Sequence, residues 1–141
     1  ESFTMPTGSC LCQAIRYEYK AEPIAKALCH CVTCRKISSG STVNVMVPRD
    51  HFHITSGSPK VFTITHETGM KLSMYFCENC GITIYKTADS EELKGNAIIL
   101  AGTLDDSEAF SHLNPEVEFF TKDRASWLPK LQNAEQKVEF K

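Results

Sequence analysis

The 141-residue chain carries no excess of either charge, no apolar run of membrane length and a single tryptophan. With Lys+Arg at 15 and Asp+Glu at 17, the net charge is −2, which speaks against a broad electrostatic grip on nucleic acid or anionic lipid. No stretch approaches the ~18 consecutive apolar residues of a spanning helix. A charged-then-apolar leader is missing too, so the expectation is a cytoplasmic protein with neither a membrane nor a nucleic acid as partner. Gly-rich phosphate loops, Ser-His-Asp spacing, internal repeats and low-complexity tracts are also lacking. Helical periodicity is scarce.

Cysteine, by contrast, is plentiful: there are seven. The odd count excludes complete disulfide pairing. A chain of this length buries enough surface to fold as one domain without covalent staples. We place that domain at residues 7–141, with residues 1–6 as a patternless extension.

The remaining pattern is that of short strands. Ala14-Ile15-Arg16-Tyr17-Glu18-Tyr19 and Lys60-Val61-Phe62-Thr63-Ile64-Thr65 alternate with period two, as half-buried strands do. Residues 42–48 are β-branched and apolar up to Pro48, which ends them. A further strand covers residues 52–55, and residues 71–76 and 82–86 flank a Cys-x-x-Cys pair like the arms of a hairpin. Ile98-Ile99-Leu100-Ala101 reads as a buried strand. Helical turns are expected only at residues 33–39 and 106–110. The fold class is mainly β.

The cysteines fall in three clusters: Cys10-Leu11-Cys12, Cys29-His30-Cys31-Val32-Thr33-Cys34 and Cys77-Glu78-Asn79-Cys80. Cys-x-x-Cys closes a tight turn that aims two sulfurs at one point. Cys-x-Cys on extended backbone puts both side chains on one face. Zinc takes four such ligands when structural, and three with an open position when catalytic. Seven divides as four plus three, with the compact triple Cys29, Cys31 and Cys34 on one metal. Cys10, Cys12, Cys77 and Cys80 then close a second site, where Gly81 suits the knuckle turn. A single ribbon site of Cys31, Cys34, Cys77 and Cys80 is the competing partition, and spacing alone leaves it open.

These motifs resemble the glutathione-dependent formaldehyde-activating enzyme family, also known as the CENP-V/GFA domain. Gly8-Ser9-Cys10-Leu11-Cys12 with Tyr17, the run from Cys29 to Lys36, and Phe76-Cys77-Glu78-Asn79-Cys80-Gly81 carry the resemblance. It continues through Gly102-Thr103-Leu104-Asp105-Asp106 and Pro115-Glu116-Val117-Glu118-Phe119 to Arg124 and Trp127. Two departures are Gln13, where many members have Gly, and Leu72-Ser73-Met74-Tyr75, which holds no Arg where many members have one. The resemblance implies an Mss4-like (β-tent) fold with two Zn²⁺. The structural zinc would sit on Cys10, Cys12, Cys77 and Cys80, and the catalytic zinc on Cys29, Cys31 and Cys34. It also implies a carbon–sulfur lyase that joins glutathione or another small thiol to formaldehyde or a related electrophile. A non-catalytic zinc-stapled binding module and a reaction on a larger metabolite are the alternatives.

Three thiolates on Zn²⁺ sum to −1, so the triple calls for positive neighbours. Arg35 and Lys36 are the sequence candidates, for charge relief or for a substrate carboxylate. His30 is expected to pack or support the site, facing away from Cys29 and Cys31, and His51 and His53 to lie on an exposed strand edge. His66, Glu67 and Asp105-Asp106 read equally as acid–base groups or as turn and cap residues. Trp127 with Phe119 and Phe120 is expected in the core or a pocket wall.

Overall fold

Alternating strands build the protein, and each face of its larger sheet is covered by something different. The computed structural model describes residues 5–141. The expected extension falls partly outside the described residues, at 1–4, and Pro6 already belongs to the fold, its carbonyl accepting from the Tyr19 amide at 3.1 Å. Eleven strands and two short α-helices follow in the order β1 (Thr7–Ser9), β2 (Arg16–Tyr19), β3 (Ala25–Cys29), α1 (Val32–Ser38), β4 (Thr42–Pro48), β5 (Phe52–Ser56), β6 (Lys60–Thr65), β7 (Lys71–Phe76), β8 (Thr83–Ala88), β9 (Asn96–Leu100), α2 (Ser107–Ser111), β10 (Val117–Phe119) and β11 (Glu135–Gln136). The fold is mainly β, and among the described residues no helix is long and apolar enough to cross a membrane.

The strands form a three-stranded sheet, β1-β2-β5, and an eight-stranded sheet, β11-β10-β3-β4-β9-β8-β7-β6. Residues 42–48, 60–65 and 71–76 form strands over the spans expected from a β-branched apolar run, from alternation and from the hairpin arm before Cys77, respectively. β3 and β10 carried too little periodicity to be anticipated, and they pair parallel, Val117 with Ala27 and Phe119 with Cys29. Such a pairing depends on residues distant in sequence, which no local pattern encodes.

Alternation along β4 and β9 divides the large sheet's side chains between two environments. Val45 and Val47, with Ala97 and Ile99, face the small sheet and are fully enclosed. Tyr17, Phe52 and Tyr85 interlock there, with ring centroids 5.3 and 4.6 Å apart. Gly8 lies so close that a Cβ would come within 2.1 Å of the Tyr17 ring. Thr42, Asn44 and Met46 point the other way, as do Ile98 on β9 and Lys86 on β8, since Met46 pairs with Ile98 and Ile98 with Lys86. This second face meets a cavity instead of a sheet.

Candidate metal centres

Cys10 and Cys12 lie in the turn that follows β1, and Cys77 and Cys80 in the turn between β7 and β8. Each turn closes on its own backbone: Gln13 N donates to Cys10 O at 3.1 Å and Gly81 N to Cys77 O at 2.7 Å. Gly81 takes φ +78° and Gln13 φ +65°, so the turn beside Cys12 places a glutamine where glycine is free and other residues are strained. The four sulfurs all lie within 4.8 Å of one another, and Cys12 Sγ is 3.7 Å from both Cys10 Sγ and Cys77 Sγ. A tetrahedron of ~2.3 Å zinc–sulfur bonds has an edge of about 3.8 Å. The turns are therefore spaced for zinc. Backbone hydrogen bonds from Cys12 and Ile82 bring the Cys80 thiol down to about 6, predisposing that sulfur to the thiolate a metal requires.

The second cluster sits where β3 runs into α1. Cys29 ends the strand, Cys31 caps the helix with its sulfur accepting from Cys34 N at 3.4 Å, and Cys34 lies in the first turn. The triple thus occupies a strand-to-helix corner, with α1 covering most of the helical turn expected at residues 33–39. All three are buried, and their sulfurs lie within 4.8 Å of one another with no other histidine, cysteine or carboxylate in the group. Three sulfurs in one corner fit a metal that keeps a coordination position open.

The surroundings of this corner suit negative sulfur. Thr42 Oγ1 donates to Cys34 Sγ at 2.9 Å, and Asn44 Nδ2 donates to that Thr42 oxygen, also at 2.9 Å. Lys86 Nζ lies 3.6 Å from Cys34 Sγ, and its side chain is buried. Hydrogen bonds from Cys29 and then Cys31 hold the Cys34 thiol far below its ordinary value, with Lys86 and Thr42 adding to the effect. Cys29, which donates, is pushed well above it. His66 Nε2 is 3.5 Å from Cys31 Sγ, and burial lowers its pKa. Phe120 seals the cluster with φ +58° and no solvent exposure, a left-handed conformation that a bulky residue adopts only when its surroundings enforce it.

From the three sulfurs a cavity of about 830 Å³ opens along the second sheet face, lined by Lys86, Asn44, Met46, Ile98, Phe119 and Phe140 among others. Asn44 Oδ1 is enclosed without a hydrogen-bond partner, while its amide nitrogen donates to Thr42 and Ala27.

Other sequence candidates lie elsewhere. Arg35 and Lys36 are exposed on the last turn of α1, outside the cavity lining, where positive charge suits the helix C-terminus. The cation facing the sulfurs is Lys86, hidden in a Thr-Ile-Tyr-Lys-Thr strand whose lysine reads as solvent-facing. His30 Nε2 donates to Glu118 Oε1 at 2.7 Å, with both groups buried, so it supports β10 and ligates nothing. His51 and His53 are exposed. Glu67 pairs with Lys122 at 3.5 Å, Asp105 accepts from Thr7 and Ser9, and Asp106 caps α2. The core placement expected for Trp127 is incorrect: it is 81 % exposed. Its intended place is taken by Phe120 and by Phe140, whose rings meet at 4.8 Å.

The crystal structure of a Rhodobacter sphaeroides protein shares the fold, with a TM-score of 0.57 at 16 % identity over 70 % of this chain and 87 % of that one. No curated protein matches the sequence. Glutathione-dependent formaldehyde-activating enzymes match residues 5–123, a span that includes all seven cysteines, Lys86 and Asn44. The chain belongs to the glutathione-dependent formaldehyde-activating enzyme family.

Proposed function

We propose that the chain is a carbon–sulfur lyase holding two Zn²⁺, a structural one on Cys10, Cys12, Cys77 and Cys80 and a catalytic one on Cys29, Cys31 and Cys34. It joins a small thiol, of which glutathione is the family's example, to formaldehyde or a related aldehyde, and it splits the same adduct in reverse. The observation that carries this reading is the three-sulfur corner with an open side, set at the end of a cavity beside a buried ammonium. Zinc bound there would ionise the incoming thiol at neutral pH.

The protein's own groups do the rest. Lys86 brings the charge of three thiolates and a divalent cation from −1 to zero, and its ammonium stabilises the alkoxide that forms as sulfur attacks the carbonyl carbon. The carbonyl π bond becomes an oxygen lone pair, a carbon–sulfur bond forms, and the proton released by the thiol ends on that oxygen. Asn44 Nδ2 donates to Thr42 Oγ1 at 2.9 Å and fixes that hydroxyl beside the sulfurs. Thr42 keeps Cys34 oriented through the bond it donates.

The test is the exchange rate between free formaldehyde and its thiol adduct, followed by exchange NMR with the zinc-loaded protein against a protein-free blank. Acceleration that disappears in Cys31→Ser is expected with at least one simple thiol. A rate equal to the blank for glutathione and for every thiol tried would overturn the proposal.

A further inference from the structure

We infer that the thiol admitted here carries an uncharged, apolar body instead of a charged peptide, an inference that deepens the carbon–sulfur reading above and rests on it. Beyond the cysteines most of the cavity wall is hydrocarbon: Ala27, Met46, Leu72 and Ile98 come from the sheet, and Phe119 and Phe140 close over them. Its volume of about 830 Å³ is that of a site for a ligand of drug size, far more than a one-carbon aldehyde with a minimal thiol would fill.

The ionic groups along the same wall have the wrong sign for an acidic ligand. Asp89, Glu92 and Glu139 line it, and no arginine does. The cations are Lys86, directed at Cys34, and Lys141. A glutathione-like molecule brings two carboxylates and one ammonium. Burying carboxylates without cationic partners is costly; Glu139 is already paired with Lys122, and Asp89 and Glu92, which have no cationic partner among the described residues, add repulsion. A hydrocarbon body meets no such penalty and gains about fourfold in affinity for each methylene enclosed. Asn44 is tied to the three-sulfur corner through Thr42, its Nδ2 donating to Thr42 Oγ1 at 2.9 Å.

The probes are S-methyl alkyl thioethers from propyl to octyl, and S-methylglutathione, titrated calorimetrically into the zinc-loaded protein. Affinity is expected to rise severalfold per methylene until the cavity is filled, and the hexyl compound to bind at least tenfold more tightly than S-methylglutathione. Ala25→Phe, which adds a ring at the cavity wall, should weaken the hexyl compound at least tenfold. Affinity independent of chain length, or S-methylglutathione binding as tightly as the hexyl compound, would overturn the inference even if the variant does not fold. Formaldehyde exchange with 2-phenylethanethiol and with glutathione separates the two readings. Acceleration with glutathione alone overturns the apolar substrate and leaves the lyase. Chain-length-dependent binding without exchange of either thiol leaves the apolar site and removes the lyase.

Discussion

Lys86 places its ammonium 3.6 Å from Cys34 Sγ, with its side chain enclosed and no carboxylate among its hydrogen-bond or ion-pair partners. A buried lysine without an anionic partner is a liability to a fold. Among the described residues its one hydrogen-bond partner is a cysteine sulfur, so the position makes physical sense when the cluster is ionised, as metal binding requires. Charge on β8 and sulfur on α1 are thus two halves of one arrangement, brought from distant parts of the chain to the same face of the large sheet.

Lys86→Met tests that relationship with opposite signs in two measurements. The metal-free protein should gain stability to urea, because an unpaired buried charge is replaced by a side chain of similar volume. The zinc-loaded protein should lose about tenfold or more in affinity at the second metal, equivalent to ~1.4 kcal/mol, read by competition with a chelator. Unchanged metal affinity would assign Lys86 to packing alone.

The two cysteine clusters should respond differently to the loss of one sulfur. Cys31→Ser is expected to fold and to retain one zinc of two, because the β3–α1 corner keeps its backbone bonds, His30 N to Phe119 O at 3.0 Å and Arg35 N to Cys31 O at 2.9 Å. Cys77→Ser should instead cost soluble folding. Structural zinc contributes on the order of 10 kcal/mol, as much as the whole stability of a typical domain. Elemental analysis with circular dichroism of both variants decides it, and a normally folded Cys77→Ser with one zinc would move the structural role to the triple.

What could be read in advance was whatever is local. Cys-x-Cys and Cys-x-x-Cys spacing aims sulfurs through one turn, so both clusters were legible, as were β4 from its β-branched run, β6 from its period and β7 from its place before the Cys77–Cys80 turn. The partners of the triple were not. Lys86 alternates with Tyr85 and Thr87 as a solvent-facing residue would, and only the knowledge that both sheet faces are covered turns it inward. His66 reaches Cys31 from a turn, and Phe140 reaches Phe120 from the chain's end. Arg35 and Lys36 looked favourable because they adjoin Cys34 in sequence, yet the helix turns them away from its sulfur.

Glu118 links acid stability to the same region. Burial would raise its pKa, but hydrogen bonds from His30, Gln136 and Leu131 N, with Arg124 close by, hold it down to about 2 from an ordinary 4.5. A depressed carboxylate contributes stability that is complete above its unfolded value and is lost as pH falls through its folded one. The window is therefore pH 4.5 to 2, and the stabilisation is roughly 3 kcal/mol. Denaturant unfolding of Glu118→Gln against the parent protein should show a gap of a few kcal/mol at pH 7 that closes across that window. Zinc release in acid affects both proteins alike and cancels in the difference. A gap that stays constant with pH would show that the carboxylate's charge is not the source.

The chain beyond residue 123 lies outside the family match, yet it completes the cavity. Leu131 N and Gln136 Nε2 both donate to Glu118 Oε2 at 2.7 Å, and Glu139 O accepts from Phe120 N at 3.2 Å. These bonds bring Phe140 against Phe119, Phe120 and His66, with centroids 5.2, 4.8 and 5.9 Å away. Because Phe140 is half-buried, Phe140→Ala should cost well under the ~3–5 kcal/mol of a fully enclosed phenylalanine. Its larger effect should be on ligand binding: the wall above the three sulfurs is lost, and an apolar thioether should bind severalfold more weakly while zinc content stays at two. Calorimetry and metal analysis on one preparation test both halves. If stability falls and ligand affinity does not, the tail is a brace for β10 and not part of the site.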